Sequence, residues 1–122
     1  MKKTQSFKDL LVWQKAYKFT LNVYRISEKF PQQERYGITS QLRRASVSIA
    51  ANIAEGYRRI GKKDKLHFFN IAQSSLEECK FFIMLSFDLL YFNSLVNDEF
   101  NQQTDEVGKL LNAYCHAILQ NS

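Results

Sequence analysis

The chain has 122 residues, 45% of them hydrophobic and 24% charged. That length suffices for one buried core without disulfide or metal staples, and that composition excludes a disordered chain. One proline (Pro31) and four glycines (Gly37, Gly56, Gly61, Gly108) are too few for the many tight turns of an all-β fold.

Hydrophobic spacing predicts four helices. The first spans about Asp9 to Lys29, with Leu10, Trp13, Tyr17, Thr20 and Tyr24 on its inner face, and Pro31 ends it. The second spans about Glu34 to Tyr57, with Ile38, Leu42, Ala45, Ile49 and Ile53 inward and Gly56 near its end. The third spans about Lys62 to Tyr91 and turns Leu66, Phe69, Ala72, Leu76, Cys79, Phe82, Ser86 and Leu89 to the core. The fourth starts near Asn97 or Asp98, both good caps, and presents Phe100, Val107, Leu110, Leu111, Tyr114, Ile118 and Leu119. Short connections make sequential neighbours antiparallel, so the expected fold is an all-α, up-down-up-down four-helix bundle forming one domain over residues 1–122.

Two features exceed what a lone bundle needs. Between Phe81 and Phe92 only Ser86 and Asp88 are polar, so that half of the third helix is apolar nearly all round. From Ala45 to Ala54 small residues alternate with Ile and Val, which permits close backbone approach. Together with 14% aromatic residues, these features predict a second buried surface between copies of the chain.

The formal charge of +5 conceals an asymmetry: residues 1–65 hold fifteen of the seventeen Lys and Arg against five acids. In the expected topology the chain start and the connection between helices two and three share one end. That end gathers Lys2, Lys3, Lys8, Arg58, Arg59, Lys62, Lys63 and Lys65, the candidate nucleic-acid-binding residues. The opposite end holds Asp88, Asp98 and Glu99, so the molecule is expected to be polar along its axis. Arg58 and Arg59 suit a helix C-terminus, but Lys62, Lys63 and Lys65 occupy a first helical turn. There each opposes the macrodipole at roughly 0.3–1 kcal/mol. An anionic partner, RNA or DNA, supplies a reason for them, and Tyr57 and Phe68 are rings on which unpaired bases could stack. Replacing the three lysines by glutamine is expected to hold stability or raise it slightly.

Catalytic chemistry finds no footing. Gly56 to Lys63 approaches a phosphate-binding loop, but Lys63 stands where a metal-binding hydroxyl is required and a helix precedes it. His67 and His116 have no partnering metal or acid–base motif, and no metal or cofactor is expected. Glu77 and Glu78 fall level with Arg43 and Arg44, predicting a cross-helix ion pair. Arg44, Ser48, Glu55 and Arg59 share one face of the second helix, open to solvent or to another subunit. Cys79 and Cys115 lack CxxC spacing and read as buried thiols. The N-terminus lacks the apolar core of a secretory signal and no segment spans a bilayer, so a cytoplasmic protein with no membrane partner is expected.

Phe7-Lys8-Asp9-Leu10 with Trp13-Gln14-Lys15-Ala16, Phe30-Pro31 with Glu34 and Tyr36-Gly37, the run from Gln41 to Gly56, and Ile71-Ala72 with Ser74 to Glu78 carry a resemblance over essentially the whole chain. The chain resembles the bacterial four-helix bundle family first named for open reading frames in intervening sequences of 23S ribosomal RNA genes. Ala50 departs from it, since many members have proline there; alanine keeps the helix regular. The resemblance implies a homopentameric barrel of bundles. A related branch is the accessory protein of diversity-generating retroelements, a basic pentamer that binds nucleic acid and a reverse transcriptase. The residues themselves leave two readings: a non-enzymatic homo-oligomeric nucleic-acid-binding or ribonucleoprotein accessory protein, and an oligomeric protein–protein scaffold with no nucleic-acid ligand.

Overall fold

The computed structural model describes residues 5–121. Four helices make up the fold: α1 (Leu11–Ser27), α2 (Ile38–Arg58), α3 (Lys62–Asp88) and α4 (Ser94–Gln120). Short 3-10 turns at Phe7–Asp9 and Gln32–Glu34 precede α1 and α2, and no strand occurs among the described residues.

Side-chain pairs across the helices fix the topology. Thr20 and Arg43 tie α1 to α2 through Ser46 and Ser27, while Ser48 and Ser75 share a hydrogen bond of 2.7 Å between α2 and α3. Gln73 donates to Asn112 on α4, and Asn22 donates to Glu99 and Gln103, closing α4 on α1. Each neighbouring pair is antiparallel, which is the expected up-down-up-down bundle. The tightest layer is α2 on α3, where Ala45, Ser46 and Ala72 are buried.

Several helix ends depart from their expected places, each for a local reason. Glu34 lies outside α2 and caps it, its carboxylate accepting from the Ile38 amide while Tyr91 donates to the other oxygen at 2.6 Å. Helix α3 ends at Asp88 because Leu90 adopts φ 66°, with Leu90 N donating to Phe87 O and Tyr91 N to Ser86 O. This is the paired closure glycine usually makes, here by leucine. Helix α4 starts earlier than Asn97, because Asn93 accepts from the Val96 amide at 2.9 Å and starts the helix first.

The inner face of α2 matches expectation: Ile38, Leu42, Ala45, Ile49 and Ile53 are all buried. On α1, Leu10 and Thr20 are buried as expected, but the middle of the inner face is displaced by one residue. The buried stripe is Val12, Ala16, Phe19 and Val23, whereas Tyr17 and Tyr24 are exposed and Trp13 is half-buried. Two apolar stripes of the same spacing lie side by side on α1, and the one with a small residue at its centre packs closest. Leu89 and Leu119, expected inward, are also exposed. The apolar half of α3 leaves Phe81 52% and Met84 58% exposed in the single chain, while Ile83 is buried and Phe82 and Leu85 half-buried.

Candidate functional site

The corner between α2 and α3 is built by the end of one helix and the start of the next. Helix α2 stops at Arg58, Arg59 is extended, and α3 begins at Lys62 after Ile60 and Gly61. Ile60 is 94% exposed. Because Leu11 opens α1 beside the last turns of α2, the Phe7–Asp9 turn with exposed Lys8 belongs to this end. Lys2 and Lys3 lie outside the described residues.

The eight cations are not equivalent. Arg59 pairs with Glu55 and lies over the Phe68 ring, 4.7 Å from its centroid. Lys65 turns back across the corner, donating to the Gly56 and Tyr57 carbonyls at 3.2 and 2.9 Å. It thereby caps the C-terminal end of α2, where the Gly56 carbonyl also accepts from the Arg59 amide. Partial burial in that position pulls its pKa below the usual lysine value. Lys8, Arg58, Lys62 and Lys63 are exposed and have no ion-pair partner among the described residues. The expectation that Lys62, Lys63 and Lys65 behave as one cluster is therefore corrected. Lys65→Met should lower unfolding stability by about 1 kcal/mol, solvent holding the loss near that value. Lys62→Gln with Lys63→Gln should leave it unchanged or raise it by a few tenths, and thermal melts of the two variants separate these signs.

The opposite end is mixed rather than acidic. Glu28, Glu34, Asp88, Asp98 and Glu99 share it with Arg25, Lys29, Arg35 and Arg43, because the connection between α1 and α2 turns there as well. The axial polarity therefore reduces to one basic end. The expected ion pair between Arg43 or Arg44 and Glu77 or Glu78 does not form. Arg43 faces α1, donating to Ser27 Oγ at 2.8 Å, to the Tyr24 carbonyl and to Glu28, while Glu77 pairs with Lys80. The Ser48–Ser75 contact shifts the α2–α3 register by about four residues, roughly one turn, from that expected. Ser48 is thus occupied within the chain, and the face it shares with Arg44, Glu55 and Arg59 is only partly open.

His67 lies edge-on to Phe68, and His116 sits beside Gln120. No group of three or more His, Cys, Asp and Glu among the described residues could hold a metal. Cys79 and Cys115 are free and buried, and burial, with the Glu78 charge adding, pushes the Cys79 thiol well above its ordinary value. No helix among the described residues is long and apolar enough to cross a membrane.

A second surface was not expected. Tyr24, Arg35, Tyr36, Arg43, Arg44 and Val47 line an open groove of about 460 Å³ on the outer side of α1 and α2. Its signal in the sequence is the alternating four- and three-residue spacing of Arg44, Val47, Ala51, Ala54 and Arg58.

A solved structure of a protein of unknown function from the S23 ribosomal protein family of Bacteroides thetaiotaomicron shares this fold. Its TM-score is 0.80 at 23% identity, covering 86% of this chain and 98% of that one. No curated protein gives a significant match. The pattern of the 23S rRNA-intervening sequence proteins matches residues 8–113, from Lys8 beside the basic corner through most of α4. By that match across nearly the whole bundle, the chain belongs to the 23S rRNA-intervening sequence protein family.

Proposed function

We propose that this protein is a non-enzymatic, homo-oligomeric accessory protein that binds the backbone of RNA or DNA through its basic end. The observation that carries this reading is the pair Lys62 and Lys63, exposed in the first turn of α3 without an acidic partner among the described residues. Positive charge there works against the helix dipole, and phosphate is the ligand that turns the cost into a gain. Arg58 and Lys8 extend the same surface. The test is retention of a mixed RNA pool at two salt concentrations. Affinity that falls steeply with salt supports the reading, and absence of salt-sensitive binding removes it.

Self-association is the second part. Phe81 and Met84 on α3, with Leu89, Leu90 and Leu95 beyond its end, form an apolar surface that water would otherwise face. Covering it with further copies, five by the family resemblance, would repeat the basic end around a symmetry axis. The same surface supports the rival reading of a protein–protein scaffold with no nucleic-acid ligand. Sedimentation at micromolar concentration should show an oligomer several times the 14.3 kDa chain. A compact monomer would remove this part. The free thiols fit a cytoplasmic setting.

A further inference from the structure

The outer groove between α1 and α2 combines rings, small residues and unpaired cations in one line. On α1, Trp13, Tyr17 and Tyr24 recur at helical spacing along the flank that faces α2. The Trp13 and Tyr17 rings stack with centroids 5.0 Å apart and planes 9° from parallel. Tyr24 carries the Arg43 guanidinium over its ring at 4.7 Å. On α2, Val47 lines the groove beside Arg44, and Ala51, Ala54 and Arg58 continue that helical face by their three- and four-residue spacing. Tyr36, 84% exposed and accompanied by Arg35 at 5.4 Å, closes the end beyond Arg44.

The charge along this line is mainly positive, and Glu55, which lies beside Arg58, is paired with Arg59. Arg35, Arg44 and Arg58 have no ion-pair partner among the described residues, and Glu28, the acid at this end of α1, is engaged by Arg43. A protein helix laid on the apolar strip would bury these arginines without partners, a costly arrangement. A polymer with flat apolar faces and a regularly spaced negative backbone satisfies both sets of groups. A duplex offers only the backbone, since its bases are already stacked.

We propose that this groove is a channel for single-stranded nucleic acid, in which bases stack on the Trp13–Tyr17 pair and on Tyr24 and Tyr36 while Arg44, Arg58 and Arg35 hold phosphates. The proposal rests on the nucleic-acid reading above and adds strand type and path. The eleven helical steps from Trp13 to Tyr24 span about 16 Å, room for roughly five stacked nucleotides. Arg58 belongs to both surfaces, so a strand leaving the groove runs directly onto Lys62 and Lys63.

Trp13 is the chain's one tryptophan and reports on the groove directly. The experiment titrates the intact protein with a twelve-nucleotide oligothymidine and with a duplex of equal length, following Trp13 fluorescence and, separately, the anisotropy of labelled strand. The single strand should quench Trp13 and bind more tightly than the duplex. Arg44→Gln and Tyr17→Leu should each weaken it by about fivefold or more. Arg44 has no partner to lose, so its variant remains informative if Tyr17→Leu proves unstable. Salt-sensitive binding that leaves Trp13 unquenched and is indifferent to both variants overturns the groove while the basic-end reading stands. Equal affinity for duplex overturns it as well. A change in sedimentation with unchanged binding makes the groove a protein contact and overturns it too. No binding of either nucleic acid at low salt removes both readings.

Discussion

Phe69→Ala should lower the unfolding free energy by about 3–5 kcal/mol, a large part of the roughly 5–15 kcal/mol available to a domain of this size. Phe69 is fully buried, meets Tyr114 edge-on at 5.3 Å, and lies directly beneath Gly56 of α2. A Cβ at Gly56 would stand 2.8 Å from the Phe69 Cε1 and 3.1 Å from two further ring carbons. Alanine gains up to about 1 kcal/mol of helix propensity over glycine, but overpacking against a ring that cannot retreat costs about 1–3 kcal/mol. Gly56→Ala should therefore destabilise despite its better propensity. In a Phe69→Leu background the same change should cost less, because the narrower side chain makes room, and urea melts of the four proteins give the coupling directly. A neutral or stabilising Gly56→Ala in the native background would show that the helices move apart without loss.

The bundle itself was legible because its signals are local and repeated. The α2 stripe from Ile38 to Ile53 alternates at helical spacing with one apolar face, and its core assignment holds throughout. On α1 two stripes compete, and sequence favoured the aromatic one. Packing decided for Val12, Ala16, Phe19 and Val23 because Ala16 lets the backbones close, a preference visible only once a neighbour is present. Register failed for the same reason. The Ser48–Ser75 contact and the Phe69 ring under Gly56 move the offset by about one helical turn from that counted at the α2–α3 connection. Arg44 still falls within a residue of the level of Glu78, and Arg43 is lost to the pair because it turns to Ser27 and Glu28. At the basic end the residue types were readable but their uses were not. Lys65 has the same composition signal as Lys62 and Lys63, yet its four-carbon stem reaches back to the carbonyls that end α2.

The remaining exposed cations make the second large prediction. Arg58→Gln, Lys62→Gln and Lys63→Gln together should remove most of the phosphate contacts at the corner without a structural loss, since none of the three has an ion-pair partner among the described residues. Lys65 is left in place so that folding and binding are not confounded. With about three phosphates neutralised per chain, affinity should fall roughly 20- to 40-fold between 50 and 200 mM salt. Oligomerisation would steepen that dependence by repeating the corner. The triple variant should bind at least tenfold more weakly at about 50 mM salt, with a log–log salt slope shallower by about 2–3. The direct measurement is the salt slope of affinity for a mixed RNA pool, wild type beside the triple variant. A steep wild-type slope that flattens in the variant is the predicted result. A wild-type protein with no salt-sensitive affinity, or a variant with the wild-type slope, would contradict the assignment of the basic end to nucleic acid.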